Sequence, residues 1–508
     1  MEQIVEKLIS HTAPKTDMVS VIIPVYNAAR FVGETLHSVL ASSYADIEVV
    51  CVDDGSTDNS AAIVQTVADA DSRVRLIRQS NGGVCRARNA GVAASCGEYI
   101  LPVDADDLLM PQFIADAVKV LDADPEVKVV VPSGEFFGER TGRWHLKPYS
   151  PRLLARKNMI PATAMYRRSD YYRTEGYCPE VKAREDWEFW IAMLKDGGNV
   201  VTLPEIGLRY RILPNSKRVS DRLLKHHVVD VLNKRHPEFF ERELGGPLRY
   251  HRSWSRIINA AYRLLHPRRV HTESEFASLH TFIATLPTLF LLDCGKPIYS
   301  GRNELRQFST TAGEVVVKSF CTPNIINRIA YGFLRSSKAQ RSCIYAALLR
   351  SKGIGSPAPV GWCSERVGPL FTRSYYASAH STLPYTYIDI LKGTIDNPEK
   401  YLREIGRTAA KMHEAGMIHR DFSRGNLLLG EDADGAPLVE VVDLNRIRFT
   451  TVSIAEGVKN FERLPATESM QRYIAEGYAE VRGCTIDECL SIWPVTEALD
   501  SPEAGTRY

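Results

Sequence analysis

The 508-residue chain has no apolar run long enough to span a membrane. Its most suspicious stretch, Phe282 to Leu292, is 11 residues long and contains Pro287, whereas a spanning helix needs roughly 20. A transmembrane anchor is therefore not expected, and the stretch reads as core. The 10 cysteines include no C-x-x-C pair, which leaves neither a zinc ribbon nor a dithiol redox site, and their density is far below that of a disulfide framework. Reduced thiols in a cytoplasmic protein are the expectation. Charge of one sign is also missing: 63 Lys and Arg face 61 Asp and Glu, a net charge of +2. Such a balance gives no reason to expect nucleic acid as a partner. The opening residues, Met-Glu-Gln-Ile-Val-Glu-Lys, lack the basic start and apolar core of a secretory signal. Neither an internal repeat nor a low-complexity segment interrupts the chain, and its length fits two or three domains.

Two absences are local. Between Leu244 and Thr272 there is no Asp or Glu, while Arg249, Arg252, Arg256, Arg263, Arg268 and Arg269 all fall there. Trp254, Ile257, Ile258, Ala261 and Leu265 follow helical spacing beside a stripe of Arg252, Arg256, Asn259 and Arg263, which predicts an amphipathic helix joining two domains. The second acid-free stretch, Val315 to Ser364, contains Lys318, Arg328, Arg335, Lys338, Arg341, Arg350 and Lys352. Together the two basic regions predict a peripheral contact with an anionic membrane lipid or a phosphorylated glycolipid.

From Val19 to about Val131 short β-branched runs alternate with amphipathic stretches, the pattern of α/β layers. Strands are expected at Val19–Val25, Ile47–Val52, Val74–Ile77 and Tyr99–Val103, with a helix from about Ala29 to Ser42. Ligands of open α/β sheets bind at the carboxyl ends of strands, where Asp53, Asp54, Asp104 and Asp106 fall. Sugar transfer from a nucleotide donor needs a cation on the diphosphate and a carboxylate for the acceptor hydroxyl. Asp104-Ala-Asp106, with Asp107 adjacent, offers the oxygen ligands that Mg²⁺ or Mn²⁺ prefers. Glu185-Asp186 opens an aromatic helix (Trp187, Phe189, Trp190), and Asp186 can supply the base.

Five segments in order carry a resemblance: Ile22-Ile-Pro-Val-Tyr-Asn27, Asp53-Asp-Gly-Ser-Thr-Asp58, Ala87-Arg-Asn-Ala-Gly91, Asp104-Ala-Asp-Asp107 and Glu185-Asp-Trp187. From Val19 to Leu213 the chain resembles inverting glycosyltransferases of family 2, which have the α/β GT-A fold. The resemblance implies a nucleotide-sugar site that includes Pro24, Asp53, Asp54, Arg88 and Asp104. It also implies Asp106 as leading metal ligand and Asp186 as base.

A second constellation stands some 300 residues later. Phosphoryl transfer requires a lysine on the phosphates, metal-binding Asp and Asn, and an Asp aimed at the acceptor hydroxyl. Lys318 lies in Val-Val-Val-Lys-Ser-Phe, Asp421 and Asn426 in His419-Arg-Asp-Phe-Ser-Arg-Gly-Asn426, and Asp443 in Val-Val-Asp-Leu-Asn445. These have the order and spacing of a kinase. Asp443-Leu-Asn-Arg in place of Asp-Phe-Gly, and the lack of a glycine-rich phosphate loop, argue against an ordinary protein kinase. With Ser300-Gly-Arg-Asn303, the segment from about Leu291 to Val495 resembles lipopolysaccharide kinases of inner-core Kdo or heptose, an α+β protein-kinase-like fold. That implies Asp421 as base, Asn426 and Asp443 as Mg²⁺ ligands, and Lys318 on ATP. Kinases pair this lysine with a helix glutamate, and Ile344 stands where it is expected. Lys318 would then depend on ATP itself or on a carboxylate from the Asp293 to Glu314 region.

The expected organisation is a GT-A domain over residues 1–235, a basic amphipathic helical linker over 236–280 and a lipopolysaccharide-kinase-like domain over 281–508. The expected partners are a nucleotide-sugar donor and a glycolipid or lipopolysaccharide-core acceptor. The expected location is the cytoplasm, at the inner face of the inner membrane. The nearest alternative makes the C-terminal domain a pseudokinase that binds the acceptor.

Overall fold

The chain of β-branched residues from Val19 onward forms a strand whose two faces feed two different cores. Val19, Val21, Ile23 and Val25 pack into one apolar cluster and Ile22 into the other, while Val49 and Cys51 of the next strand part from Val50 and Val52 in the same alternation. Burial on both faces is what a central parallel sheet covered by helices demands. The computed structural model describes residues 15–213, 224–333 and 335–494, so the N-terminal heptapeptide examined for a signal lies outside the described residues. The chain divides into two compact units, Met1–Asn259 and Ala260–Tyr508.

In the first unit the strands are β1 (Lys15–Val25), β2 (Ile47–Asp53), β3 (Val74–Arg78), β4 (Gly97–Pro102), β5 (Leu108–Leu109), β6 (Val127–Gly138), β7 (Gly142–Trp144), β8 (Met165–Arg167) and β9 (Asn199–Ile212). They make one nine-stranded sheet in the order β3-β2-β1-β4-β8-β6-β9-β5, with β7 on β6. β1 pairs in parallel with both β2 and β4, so the acidic residues after β2 and β4 emerge on either side of the end of β1. The helix Val84–Ala94 lies against these strands through Gly91, where an added Cβ would come 2.4 Å from Ile22 Cγ2. That close approach is what brings Arg88 to the strand ends.

The second unit holds a six-stranded sheet ordered β10 (Arg268–Thr272), β14 (Pro359–Val367), β15 (Leu370–Ala379), β13 (Gly313–Phe320), β12 (Glu304–Thr310) and β11 (Lys296–Ser300). The helix Lys338–Ser351 buries Ala339, Cys343, Ala346 and Leu349, of which Ala346 and Leu349 join the core of the helical part that follows. Beyond lies a helical part with three small strands, β16 (Tyr385–Thr386), β18 (Leu427–Glu431) and β19 (Pro437–Val441), and the pair β17 (Met417–His419) and β20 (Ile447–Phe449). The helices Pro398–Glu414 and Glu468–Arg482 cross where glycines remove side chains. A Cβ on Gly477 would meet the carbonyl oxygen of Arg403 at 1.9 Å, and one on Gly406 that of Ile474 at 2.1 Å. Backbone cannot yield as a side-chain tip does, so Gly477→Ala is expected to destabilise the second unit by about 1–3 kcal/mol, measured by denaturant unfolding. Unchanged stability would mean that the helices can separate freely.

The stretch 236–280 divides between the units. Phe239, Phe240, Leu244 and Leu248 join a core of the first, and β10 joins the sheet of the second. The amphipathic helix observed is Ser255–Leu265, and the buried positions on it are the polar Ser255 and Asn259. Asn259 donates to the carbonyls of Leu244 and Pro247, whereas Ile257, Leu264 and Leu265 are exposed. Phe282 to Phe290 is largely buried, as expected of core. Among the described residues no helix is long and apolar enough to cross a membrane.

Candidate active sites

Asp53 closes β2, is buried, accepts from the Ser56 amide at 3.1 Å and pairs with Arg78 Nε at 3.3 Å. Its neighbour Asp54 accepts from Gln79 Nε2 at 2.7 Å and from the amides of Gly82 and Gly83 at 2.8 Å each. Three donors on one buried carboxylate fix the turn that begins the helix of Arg88. Pro24 lies in β1 opposite Val52. Arg88, 2% exposed, has Nη2 2.7 Å from Asp104 Oδ1 and Nη1 3.2 Å from Glu185 Oε1, and its guanidinium lies over the Tyr177 ring at 5.2 Å. One buried cation thus joins the end of β4 to the start of the helix Glu185–Leu194, about 80 residues away. A guanidinium so buried is tolerated because its charge is paired.

Asp186 stands next to this cluster. Asn158 Nδ2 donates to it at 2.7 Å and the Trp187 amide at 2.8 Å. Burial foremost, then the negative charge of Glu185, pushes its carboxyl up to about 7, against the opposing pull of Arg88. Such a carboxylate is poised to exchange a proton near neutral pH. Asp107 is raised well above the usual carboxylate range by burial and by Asp104 and Asp106, although the Arg211 amide donates to it at 2.9 Å. Three acids crowded together with this consequence suit a divalent cation, which would relieve their repulsion, so Asp104 and Asp106 fit a metal-binding role. Replacing Arg88 with Gln would remove the charge that holds Asp186 down. Its ionisation, read from a pH–rate profile, is expected to move upward by on the order of one unit; an unmoved midpoint would separate Arg88 from the base.

In the second unit Lys318 of β13 lies opposite Leu305 and Tyr376, 9% exposed, with its Nζ 2.7 Å from Asp443 Oδ1. The partner expected from the Asp293 to Glu314 region is not what the structure shows: Asp293 and Glu304 both pair with Arg306. Burial raises the Asp443 carboxyl, but the Lys318 ammonium, together with His419 and Arg446, holds it below the usual range. Asp421 is buried against Arg446, at 3.1 Å, and Arg463. Asn426 Nδ2 donates to the Asp421 carbonyl at 2.8 Å, while its buried Oδ1 has no hydrogen-bond partner. A buried amide oxygen without a protein donor is a suitable ligand for a hard cation, as is the Asp443 carboxylate, so Asn426 and Asp443 fit a Mg²⁺. His419 holds the loop: its Nδ1 accepts from the Asp421 amide at 3.2 Å, Asn460 holds its carbonyl at 2.9 Å, and burial lowers its pKa, keeping the ring neutral.

Two cavities share Lys318 and Asp443. The smaller, 240 Å³, has an apolar wall of Leu305, Val316, Tyr376, Leu428 and Val442, and the larger, 650 Å³, is bordered by basic side chains. Ile344 lines neither, and it is 49% exposed. The side chains that the helix Lys338–Ser351 turns to the larger cavity are Lys338 and Arg341. Sequence reasoning missed Glu185 as partner of Arg88, Asn158 on Asp186, and Arg446 and Arg463 on Asp421. Arg446 closes the Asp443-Leu-Asn-Arg motif, whereas Asn158 and Arg463 carry no local signal.

Comparison with known proteins agrees with both halves. Residues 20–184 match the family described as glycosyl transferase family 2, and residues 387–477 the lipopolysaccharide kinase (Kdo/WaaP) family. Lys318 and the Ser300–Asn303 turn lie outside the second match. Glycosyltransferase GlyG of Streptococcus pneumoniae is 36% identical over 134 residues, 26% of this chain and 43% of that protein. The uncharacterized glycosyltransferase EpsJ of Bacillus subtilis is 30% identical over 216 residues, 39% of this chain and 62% of that one. The chain thus spans about half the length of these curated relatives. A solved structure of WaaP in complex with acyl carrier protein aligns with TM-score 0.31 and 15% identity over 44% of this chain and 92% of that one. The N-terminal half resembles family 2 glycosyltransferases with an α/β GT-A fold, and the C-terminal half the lipopolysaccharide kinases with a protein-kinase-like α+β fold.

Proposed function

We propose that the chain is a bifunctional enzyme of bacterial cell-surface glycan assembly, transferring a sugar with its first unit and phosphorylating a core sugar with its second. Asp186, pushed up to about 7 beside the Arg88 cluster, carries the first half of this reading. It takes the proton of an acceptor hydroxyl while that oxygen displaces the nucleoside diphosphate in one inverting step. Pro24, Asp53, Arg88 and Asp104 face the donor, and Asp54 acts through the turn it holds. Asp106 with Asp104 would hold a Mg²⁺ or Mn²⁺, which would supply charge stabilisation for the leaving diphosphate.

For the second half the carrying observations are the orphaned Oδ1 of Asn426, whose Nδ2 holds the Asp421 carbonyl, and the buried Lys318–Asp443 pair. The apolar cavity suits an adenine, and Lys318 suits the phosphates. The acceptor oxygen bonds the γ-phosphorus as the β–γ bridging bond breaks, ADP leaves and Asp421 takes the hydroxyl proton. Asn426 and Asp443 would hold Mg²⁺, which would offset the phosphate charge. The acceptor is a lipopolysaccharide core or related glycolipid, met at the cytoplasmic face of the inner membrane, where the exposed Ile257 and Leu264 beside Arg256 suit an anionic surface. A pseudokinase reading of this unit draws on one observation, that the helix of Ile344 presents Lys338 and Arg341 to the cavity and no acid.

The test of the first half is donor hydrolysis by the full chain against a panel of nucleotide sugars with Mg²⁺ and Mn²⁺; silence with every donor would sink it. The test of the second is transfer of labelled phosphate to deacylated lipopolysaccharide core. Loss in Asp421→Asn by about 10²-fold or more is expected, and a silent wild type that still binds ATP would favour the pseudokinase.

A further inference from the structure

The larger cavity of the second unit has a charge imbalance that the nucleotide does not explain. Its rim carries Arg302, Lys338, Arg341, Arg420, Arg446 and Arg448 in addition to Lys318. Asp443 neutralises Lys318, and Asp421 pairs with Arg446 as well as with Arg463. Among the described residues the other five basic side chains have no carboxylate partner. Arg341 Nε is buried without a hydrogen bond. The Lys338 ammonium is pushed down by burial first and then by the like charges of Arg302, Arg446 and Arg341. Lys338 and these three arginines repel one another, a repulsion that an entering anion would relieve.

ATP carries about four negative charges, which two Mg²⁺ ions offset, so nucleotide loaded with metal leaves the five cations uncompensated. These side chains also come from four separate segments, the Ser300–Asn303 turn, the helix Lys338–Ser351, the catalytic loop at Arg420 and β20 at Arg448. Convergence of that kind on one cavity differs from a solvated basic face. Guanidinium groups match phosphate oxygens in bidentate geometry. From this geometry we infer that the acceptor reaching Asp421 already bears a phosphate, which Arg420, Arg448 and Arg341 bind while Lys318 serves the nucleotide. The inference rests on the reading of this unit as an ATP-dependent sugar kinase. It narrows the acceptor class to sugars phosphorylated before this enzyme acts, so an earlier phosphoryl transfer to the same glycan must supply the substrate.

The experiment is calorimetric titration of the full chain with glucose 1,6-bisphosphate, with glucose and glucuronate as controls. Each titration is run with and without a saturating non-hydrolysable Mg·ATP analogue. The bisphosphate should bind in both conditions, the controls should not, and Arg420→Ala and Arg448→Ala should each weaken it by about tenfold. Added salt should weaken it too, since the rim is exposed. Exclusion of the bisphosphate by the analogue would overturn the inference, because the cations would then serve only the nucleotide. Unchanged binding in both arginine variants would overturn it as well, and equal binding of glucuronate would replace phosphate with any oxyanion. If the analogue itself does not bind, the kinase reading fails, while the arginine variants still decide whether the cavity is a phosphate site.

Discussion

Asp186→Asn is expected to lower donor turnover by about 10²–10⁴-fold while leaving donor affinity, measured by calorimetry, near that of the wild type. The amide has the volume of the acid and can still accept from the Trp187 amide, as Asp186 does at 2.8 Å, but it cannot take a proton. Wild-type turnover should rise with pH through about 7, where Asp186 loses its proton, and that step should vanish in the variant. The same residue makes a stability statement. Its folded value lies far above the ordinary value of about 3.9, so the folded state binds this proton more tightly than the unfolded one. The stabilisation from this proton is complete below the unfolded value and is lost as pH rises through 7. The Asn variant should therefore gain stability relative to the wild type between pH 4 and 8 in thermal unfolding. Unchanged turnover would move the base to Glu185 or elsewhere.

What could be read in advance followed local rules. β-branched runs with period-two burial located β1 to β4 within a few residues, because β1, β2 and β4 face a core on both sides and tolerate little else. The carboxyl-end rule then put Asp53, Asp54, Asp104 and Asp106 at one edge before any coordinate was known. Pairings across long separations were not legible. Arg88 meets Glu185 across 97 residues, and nothing in either neighbourhood names the other. The expected place of a helix glutamate at Ile344 shows a different limit. Helix phase is set by which residues are buried, here Ala339, Cys343, Ala346 and Leu349, and that stripe leaves Ile344 half exposed. Ile344→Glu would therefore place an acid outside the cavity that Lys318 borders.

Lys318 instead depends on Asp443, and breaking that pair should have the largest effect on the second unit. Both side chains are nearly buried, 11% and 7% exposed, at 2.7 Å. Removing one partner strands a buried charge, so Asp443→Leu and Lys318→Met should each cost about 3–5 kcal/mol. The double variant replaces the pair with apolar groups of similar size. It should recover most of the loss, since desolvating two ions offsets much of their attraction. Neither the singles nor the double should transfer phosphate, because the phosphates lose their lysine or the Mg²⁺ its carboxylate. Stability and chemistry thus part company in the double variant, which a merely unfolded protein cannot imitate. The pH behaviour is opposite to that of Asp186. Asp443 lies below the ordinary carboxylate value, so its stabilisation is fully present above about 3.9 and is lost as pH falls through the lower folded value. The penalties of the single variants should accordingly stay flat from pH 5 to 8 in calorimetric unfolding of the full chain. A single Asp443→Leu variant as stable as the wild type would show that another group compensates Lys318, and recovery of phosphoryl transfer in the double would remove both residues from the reaction.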